Sequence, residues 1–210
     1  MPAFSPCIVI GEPDVTKRLA DFGLDIDNIL AIATVARARA DDASPLMPLN
    51  APGTLAYIFG VYELRAQTIG RGWEVDRSCG VEAVINRNIG KRIAYQNVDR
   101  ACVEDWPPIP RSAKGKGAEH LNGTDLFEYF GVKPGPLTGV KEDETPTYYI
   151  MVGEDGSVEL SCPVIKNGTY QHFIERILVH TPSEDWEDNL DIDSGPVVDF
   201  DIDVSFKDEA

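Results

Sequence analysis

The sequence predicts an α+β fold, with helices concentrated in residues 12–68 packed on a mostly antiparallel sheet formed after them. Three observations carry that prediction. Apolar residues recur at helical spacing between positions 26 and 40, Gly- and Asn-centred turns punctuate residues 82–98 and 147–180, and residues 197–206 alternate strictly between apolar and polar.

In chain order, Cys7-Ile-Val-Ile closed by Gly11 reads as a short buried strand. Residues 15–22 form a brief helix ended by Gly23. Asp25 or Asp27 then caps a longer helix to about residue 40, with Ile29, Leu30, Ile32, Ala33, Val35 and Ala36 on its apolar face. Arg37 and Arg39 in its last turn suit the negative end of the helix dipole. Three prolines mark residues 44–53 as loop. A third helix spans 54–68, with Leu55, Ile58, Phe59, Tyr62 and Leu64 as core candidates.

Residues 73–77 suit a strand, and 82–87 and 91–98 flank the turn Asn88-Ile89-Gly90. Asn122 or Thr124 can cap a short helix to Phe130. Residues 147–152 and 157–165 make a hairpin about Gly153-Glu-Asp-Gly156. The segment 169–180 fits a third strand, yet Phe173, Ile174, Ile177 and Leu178 also fit a helical stripe. The Pro- and Gly-rich stretch 106–123 is expected to act as linker or loop. It would separate a helix and hairpin lobe, 1–105, from a β-meander lobe, 124–210.

A chain of 210 residues, 43% of them hydrophobic, buries roughly 70% of its unfolded surface and requires no covalent staple. Cys7, Cys79, Cys102 and Cys162 show no C-x-x-C or zinc-finger spacing, and are expected as reduced, mostly buried thiols. No long apolar run follows a basic start, so a cytoplasmic protein without membrane contact is expected. Asn122-Gly-Thr and Asn167-Gly-Thr are then turns rather than glycosylation sites.

The net charge of −16 disfavours direct binding to nucleic acid or anionic membrane. Its distribution is more informative than its size. Residues 183–210 hold eleven acidic groups and one lysine, net −10, whereas residues 65–116 hold ten basic and six acidic groups, net +4.

Within the acidic end, Val198, Phe200, Ile202, Val204 and Phe206 alternate with Asp199, Asp201, Asp203 and Ser205. That period places the apolar set on one face of a strand and the aspartates on the other. Glu187, Asp188, Asp191 and Asp193 lie just upstream. One reading is a solvated edge strand whose charge blocks aggregation. A second is a Ca²⁺ or Mg²⁺ site, but the EF-hand pattern fails: counted from Asn189, position six is Ser194 and position twelve Phe200. No metal or other cofactor is therefore expected.

The third reading is a mimic of a nucleic-acid backbone. Alternate strand residues repeat every ~6.7 Å on one side, comparable to the spacing of successive phosphates along a strand, which advance ~3.4 Å of axis each and lie further apart through space.

The loop carrying Arg111, Lys114 and Lys116 reads as a flexible cationic surface loop. It lacks the Gly-x-x-x-x-Gly-Lys-Ser/Thr and Gly-x-Gly-x-x-Gly patterns of phosphate binders. The acidic end can also be imagined covering it in cis. His120, His172 and His180 belong to no hydrolase or metalloprotease motif, so no catalytic residue is assigned.

The function expected from these features is a non-enzymatic interaction protein. Its acidic surface would bind and inhibit a basic, nucleic-acid-binding protein, a design suited to anti-defence inhibitors of phages and mobile elements. The alternatives are a metal- or Cys/His-dependent enzyme with a non-local site, and a structural or assembly subunit.

Overall fold

The computed structural model describes residues 6–122 and 145–182. Within these residues four α-helices and seven strands follow the order β1 Cys7–Val9, α1 Glu12–Ala20, α2 Ile26–Asp41, α3 Ala51–Thr68, β2 Glu74–Asp76, β3 Ala83–Asn86, β4 Lys91–Asn97, α4 Lys116–Asn122, β5 Thr147–Val152, β6 Val158–Lys166 and β7 Thr169–His180. The class is α+β, with the N-terminal helices packed on the sheet. All seven strands join one sheet in the order β1-β7-β6-β5-β4-β3-β2. Two pairs are parallel, β1 with β7 and β4 with β5, and the rest are antiparallel. Residues on either side of the 106–123 connection thus share a sheet.

The strand period sorts the core into two layers. Ile93 and Tyr95 of β4, with Tyr148, Ile150 and Val152 of β5, meet α1, α2 and α3 on one face. Ala94, Tyr149 and Met151 point the other way and pack with Ala118 of α4, Ile165 and Phe173. Every residue of β5 is buried, as befits the central strand.

Local signals place several elements. Asp25 caps α2 through a reciprocal box: its carboxylate accepts from Asn28 N–H at 2.7 Å, and the Asn28 side chain accepts from Asp25 N–H at 3.2 Å. The turn about Gly90, at φ 60°, joins β3 to β4. Segment 169–180 is a strand, because pairing with both β6 and β1 outweighs its helical stripe.

Four expectations need correction. β1 is a half-exposed edge strand rather than a buried one, since it is three residues long and only β7 flanks it. On α3 the buried residues are Ala56, Gly60, Val61, Leu64 and Thr68, while Ile58 and Tyr62 are 52% and 63% exposed. The helix packs through its small residues, which let it approach β4: a Cβ on Gly60 would lie 2.5 Å from the Tyr95 ring. The cysteines are free, but Cys7 and Cys79 are exposed and only Cys162 is buried. A helix, α4, occupies part of the stretch read as linker; the helix expected up to Phe130 lies outside the described residues.

Close approach also governs α4. A Cβ on Gly117 would fall 1.7 Å from the Cys79 carbonyl oxygen, a backbone atom that cannot swing aside. Overpacking of this kind costs about 1–3 kcal/mol, against a helix-propensity gain of about 1 kcal/mol. With the clash against backbone, Gly117→Ala is therefore expected to lower stability by up to about 2 kcal/mol in urea denaturation.

Candidate functional site

Three arrangements of polar groups stand out from the two apolar layers. The first is a set of buried ion pairs. Arg176 and Glu159, 1% and 0% exposed, meet at 2.7 Å between neighbouring strands β7 and β6. Arg92 and Asp76 meet at 2.5 Å. Burial pushes the Asp76 carboxyl up, but hydrogen bonds from Ser78 and Arg92 outweigh it and hold the pKa below the usual range. Glu175 is balanced in the same way: burial raises it, while Arg18, at 2.8 Å, and the Tyr148 hydroxyl, at 2.7 Å, bring it below its ordinary value. These charges are spent on one another, and their role is to fix strand register and dock α1.

The second is built around Lys114. Its amine donates to Gln96 Oε1 and lies 4.4 Å from the Tyr149 ring centroid and 5.8 Å from that of Tyr170. Burial pushes its pKa down to about 7; the ring faces and the Gln96 carbonyl, which favour the cation, act against that. The Tyr149 and Tyr170 hydroxyls are buried here without hydrogen-bond partners among the described residues. Sequence spacing gave no warning, because the partners come from β4, β5 and β7.

The third is a cleft of about 150 Å³ at the carboxyl ends of the parallel strands β4 and β5. Asn97 and Val98 lie at one strand end, Val152, Gly153 and Glu154 at the other. Arg37, Ala40 and Asp41 come from the last turns of α2, and Pro52, Gly53 and Ala56 from the start of α3. Asn97 ties strand to helix: its amide donates to the Gly53 carbonyl at 2.9 Å, and its carbonyl accepts from the Tyr95 hydroxyl at 2.8 Å. Across the opening, Arg111 pairs with Glu154 at 2.7 Å.

The structure does not gather the expected basic loop into one patch. Arg111 turns to the cleft and Glu154, Lys114 turns inward, and Lys116, 97% exposed, pairs with Glu119 at 3.2 Å. His120 is exposed on α4, while His172 and His180 are half-buried on β7, with burial lowering the His172 pKa. Among the described residues no group of three His, Cys, Asp or Glu side chains is placed to hold a metal ion, and no helix is long and apolar enough to cross a membrane. Asp199, Asp201, Asp203, Asp191, Asp193, Glu187 and Asp188 lie outside the described residues.

Comparison with protein-family models, with curated proteins and with solved structures finds no match in any of the three.

Proposed function

We propose that this protein acts by binding rather than by catalysis, using its carboxy-terminal acidic segment to engage and inhibit a basic, nucleic-acid-binding protein. The observation that carries the reading is the separation of charge between body and end. The described body has 16 basic and 19 acidic residues, net −3, whereas residues 183–210 carry −10. Most of the body's eleven arginines are also engaged. Arg18, Arg39, Arg65, Arg77, Arg92, Arg111 and Arg176 each meet a carboxylate of the body. This argues against neutralisation of the acidic end in cis and leaves its charge for a partner.

The test is affinity capture from lysate with the full chain and with an Asp199→Asn/Asp201→Asn/Asp203→Asn variant. Basic nucleic-acid-binding proteins should be retained at low salt, released as salt rises, and displaced by duplex DNA. Exposed charges are screened over ~8 Å at physiological ionic strength, which makes the salt dependence steep. The variant should lose the capture. Retention that ignores salt and the three substitutions would remove the proposal.

One observation favours the assembly alternative: Ile58 and Tyr62 lie four residues apart on one exposed face of α3, and Leu46 and Leu49 before it are 97% and 103% exposed. A second copy of this chain would suit so uncharged a surface. Sedimentation velocity across a concentration series separates the readings, since the assembly reading requires self-association that Tyr62→Lys abolishes.

A further inference from the structure

We propose that the cleft between α2, α3 and the carboxyl ends of β4 and β5 binds a small zwitterion of the free amino acid class. Its carboxylate would rest on Arg37 and the Gly53 N–H, and its ammonium on Asp41. The inference goes beyond the partner-binding reading and does not depend on it.

Position comes first. In open sheets, ligands collect outside the carboxyl ends of parallel strands, where helices and loops diverge and leave a crevice. β4 and β5 are such a pair at the centre of this sheet.

Charge comes second. Arg37 and Asp41 are four apart on α2, a spacing at which opposite charges ordinarily pair. Among the described residues, neither side chain has a hydrogen bond or ion pair. Arg before Asp is the less favourable order for a helix pair. Arg37 lies instead against Gly156, where a Cβ would come within 2.1 Å of Nη1. Among the described residues, one cation and one anion thus border the cleft with bonding capacity unused.

The start of α3 adds a donor. Ala51 N–H bonds to Pro48 and Thr54 N–H to Asn50, while Pro52 has no N–H. Gly53 N–H, in the positively polarised first turn, has no acceptor among the described residues, and Gly53 lines the cleft.

Size and sign then select the ligand. At about 150 Å³ the cleft is well below the roughly 300–1,000 Å³ of sites for drug-sized molecules. A dianion would face Asp41 and Glu154, and a dication Arg37 and Arg111. A molecule carrying one charge of each sign meets no repulsion. Ala40, Ala56 and Val152 leave an apolar wall for a short side chain.

Calorimetric titration of the full chain at neutral pH with glycine, alanine and serine tests this. At least one should bind with millimolar or tighter affinity. Its methyl ester, which lacks the carboxylate, and its N-acetyl derivative, which lacks the ammonium, should each bind at least tenfold more weakly. Arg37→Gln and Asp41→Asn should each weaken binding at least tenfold while the urea midpoint stays unchanged. Absence of heat with all three amino acids, equal affinity for ester or N-acetyl derivative, or indifference to both substitutions would overturn it. Binding that survives Asp199→Asn/Asp201→Asn/Asp203→Asn keeps the cleft separate from the acidic segment; loss of binding there would place the site elsewhere and also refute it.

Discussion

Glu159→Ala should cost about 3–5 kcal/mol of stability, a large share of the 5–15 kcal/mol that holds a typical domain together. Both carboxylate oxygens of Glu159 are in use. Oε1 accepts from Arg176 Nε at 3.1 Å and from the Ser161 hydroxyl at 2.7 Å; Oε2 accepts from Arg176 Nη2 at 2.7 Å and Cys102 N–H at 2.8 Å. Arg176 Nη1 also donates to the carbonyls of Val103 and Glu104, at 3.0 Å each. The pair thus crosslinks β6 and β7 and pins loop 99–104, where Cys102 sits in the left-handed region at φ 58°. Truncating the glutamate leaves a guanidinium 1% exposed with no counter-charge.

Arg176→Met should cost a similar amount, by stranding the carboxylate. The double change Glu159→Leu/Arg176→Leu should recover only part of the loss. It removes the charges but leaves the Cys102 N–H and the buried Ser161 hydroxyl without their acceptor, at about 1–3 kcal/mol for each buried group left unsatisfied. Urea denaturation of the three variants is the measurement. A loss below about 1 kcal/mol for either single change would mean that water reaches the pair.

This network was invisible in the sequence for a definite reason. Glu159 and Arg176 are seventeen positions apart, and their meeting depends on the register of β6 against β7, which no local pattern encodes. What local chemistry controls was legible: the Asp25 cap, the Asn88-Ile89-Gly90 turn and the hairpin about Gly153–Gly156. The parallel pairings were not, since both join segments distant in the chain. On α3 the largest apolar residues looked like the core, yet close approach to Tyr95 favoured the face bearing Ala56 and Gly60.

The cleft shows the same division. Arg37 reads locally as a charge suited to a helix end, and Arg111 as part of a basic loop. Only the docking of α2 over the ends of β4 and β5 brings that helix's Arg37 and Asp41 to the same cleft as Arg111 and Glu154. Period-two alternation in residues 197–206 is the converse case: a strong local pattern from which the carboxylate surface was read, with its tertiary setting outside the described residues.

The stability of the protein relative to a Lys114→Met variant should rise between pH 7 and 9, by up to about 1.4 kcal/mol per pH unit. Burial disfavours the ammonium and pushes the folded-state pKa down to about 7, below its ordinary value of 10.5. Across this window the unfolded chain keeps a proton that the folded chain has released. Unfolding therefore takes up protons, and raising the pH favours the folded state.

Below pH 7 the folded state must hold the cation between Tyr149, Tyr170 and Gln96, and the ring faces return about 0.5–2 kcal/mol of its desolvation cost. Replacement by methionine removes the charge but leaves Gln96 Oε1 without its donor. That penalty is independent of pH, so the slope of the difference identifies the amine.

Above pH 9 absolute stability should fall in both proteins. Burial raises the Cys102 and Cys162 thiols to about 11 and 12, and lifts the tyrosines at 95, 148, 149 and 170 above their ordinary value. The unfolded chain then loses those protons first, and the sign reverses. Urea denaturation of both proteins from pH 6 to 10 is the measurement. A flat difference across that range would mean that the Lys114 amine stays charged and solvated, and that the loop from Arg111 to Lys116 is held by the backbone bond from Lys114 N–H to the Gly168 carbonyl rather than by an inserted side chain.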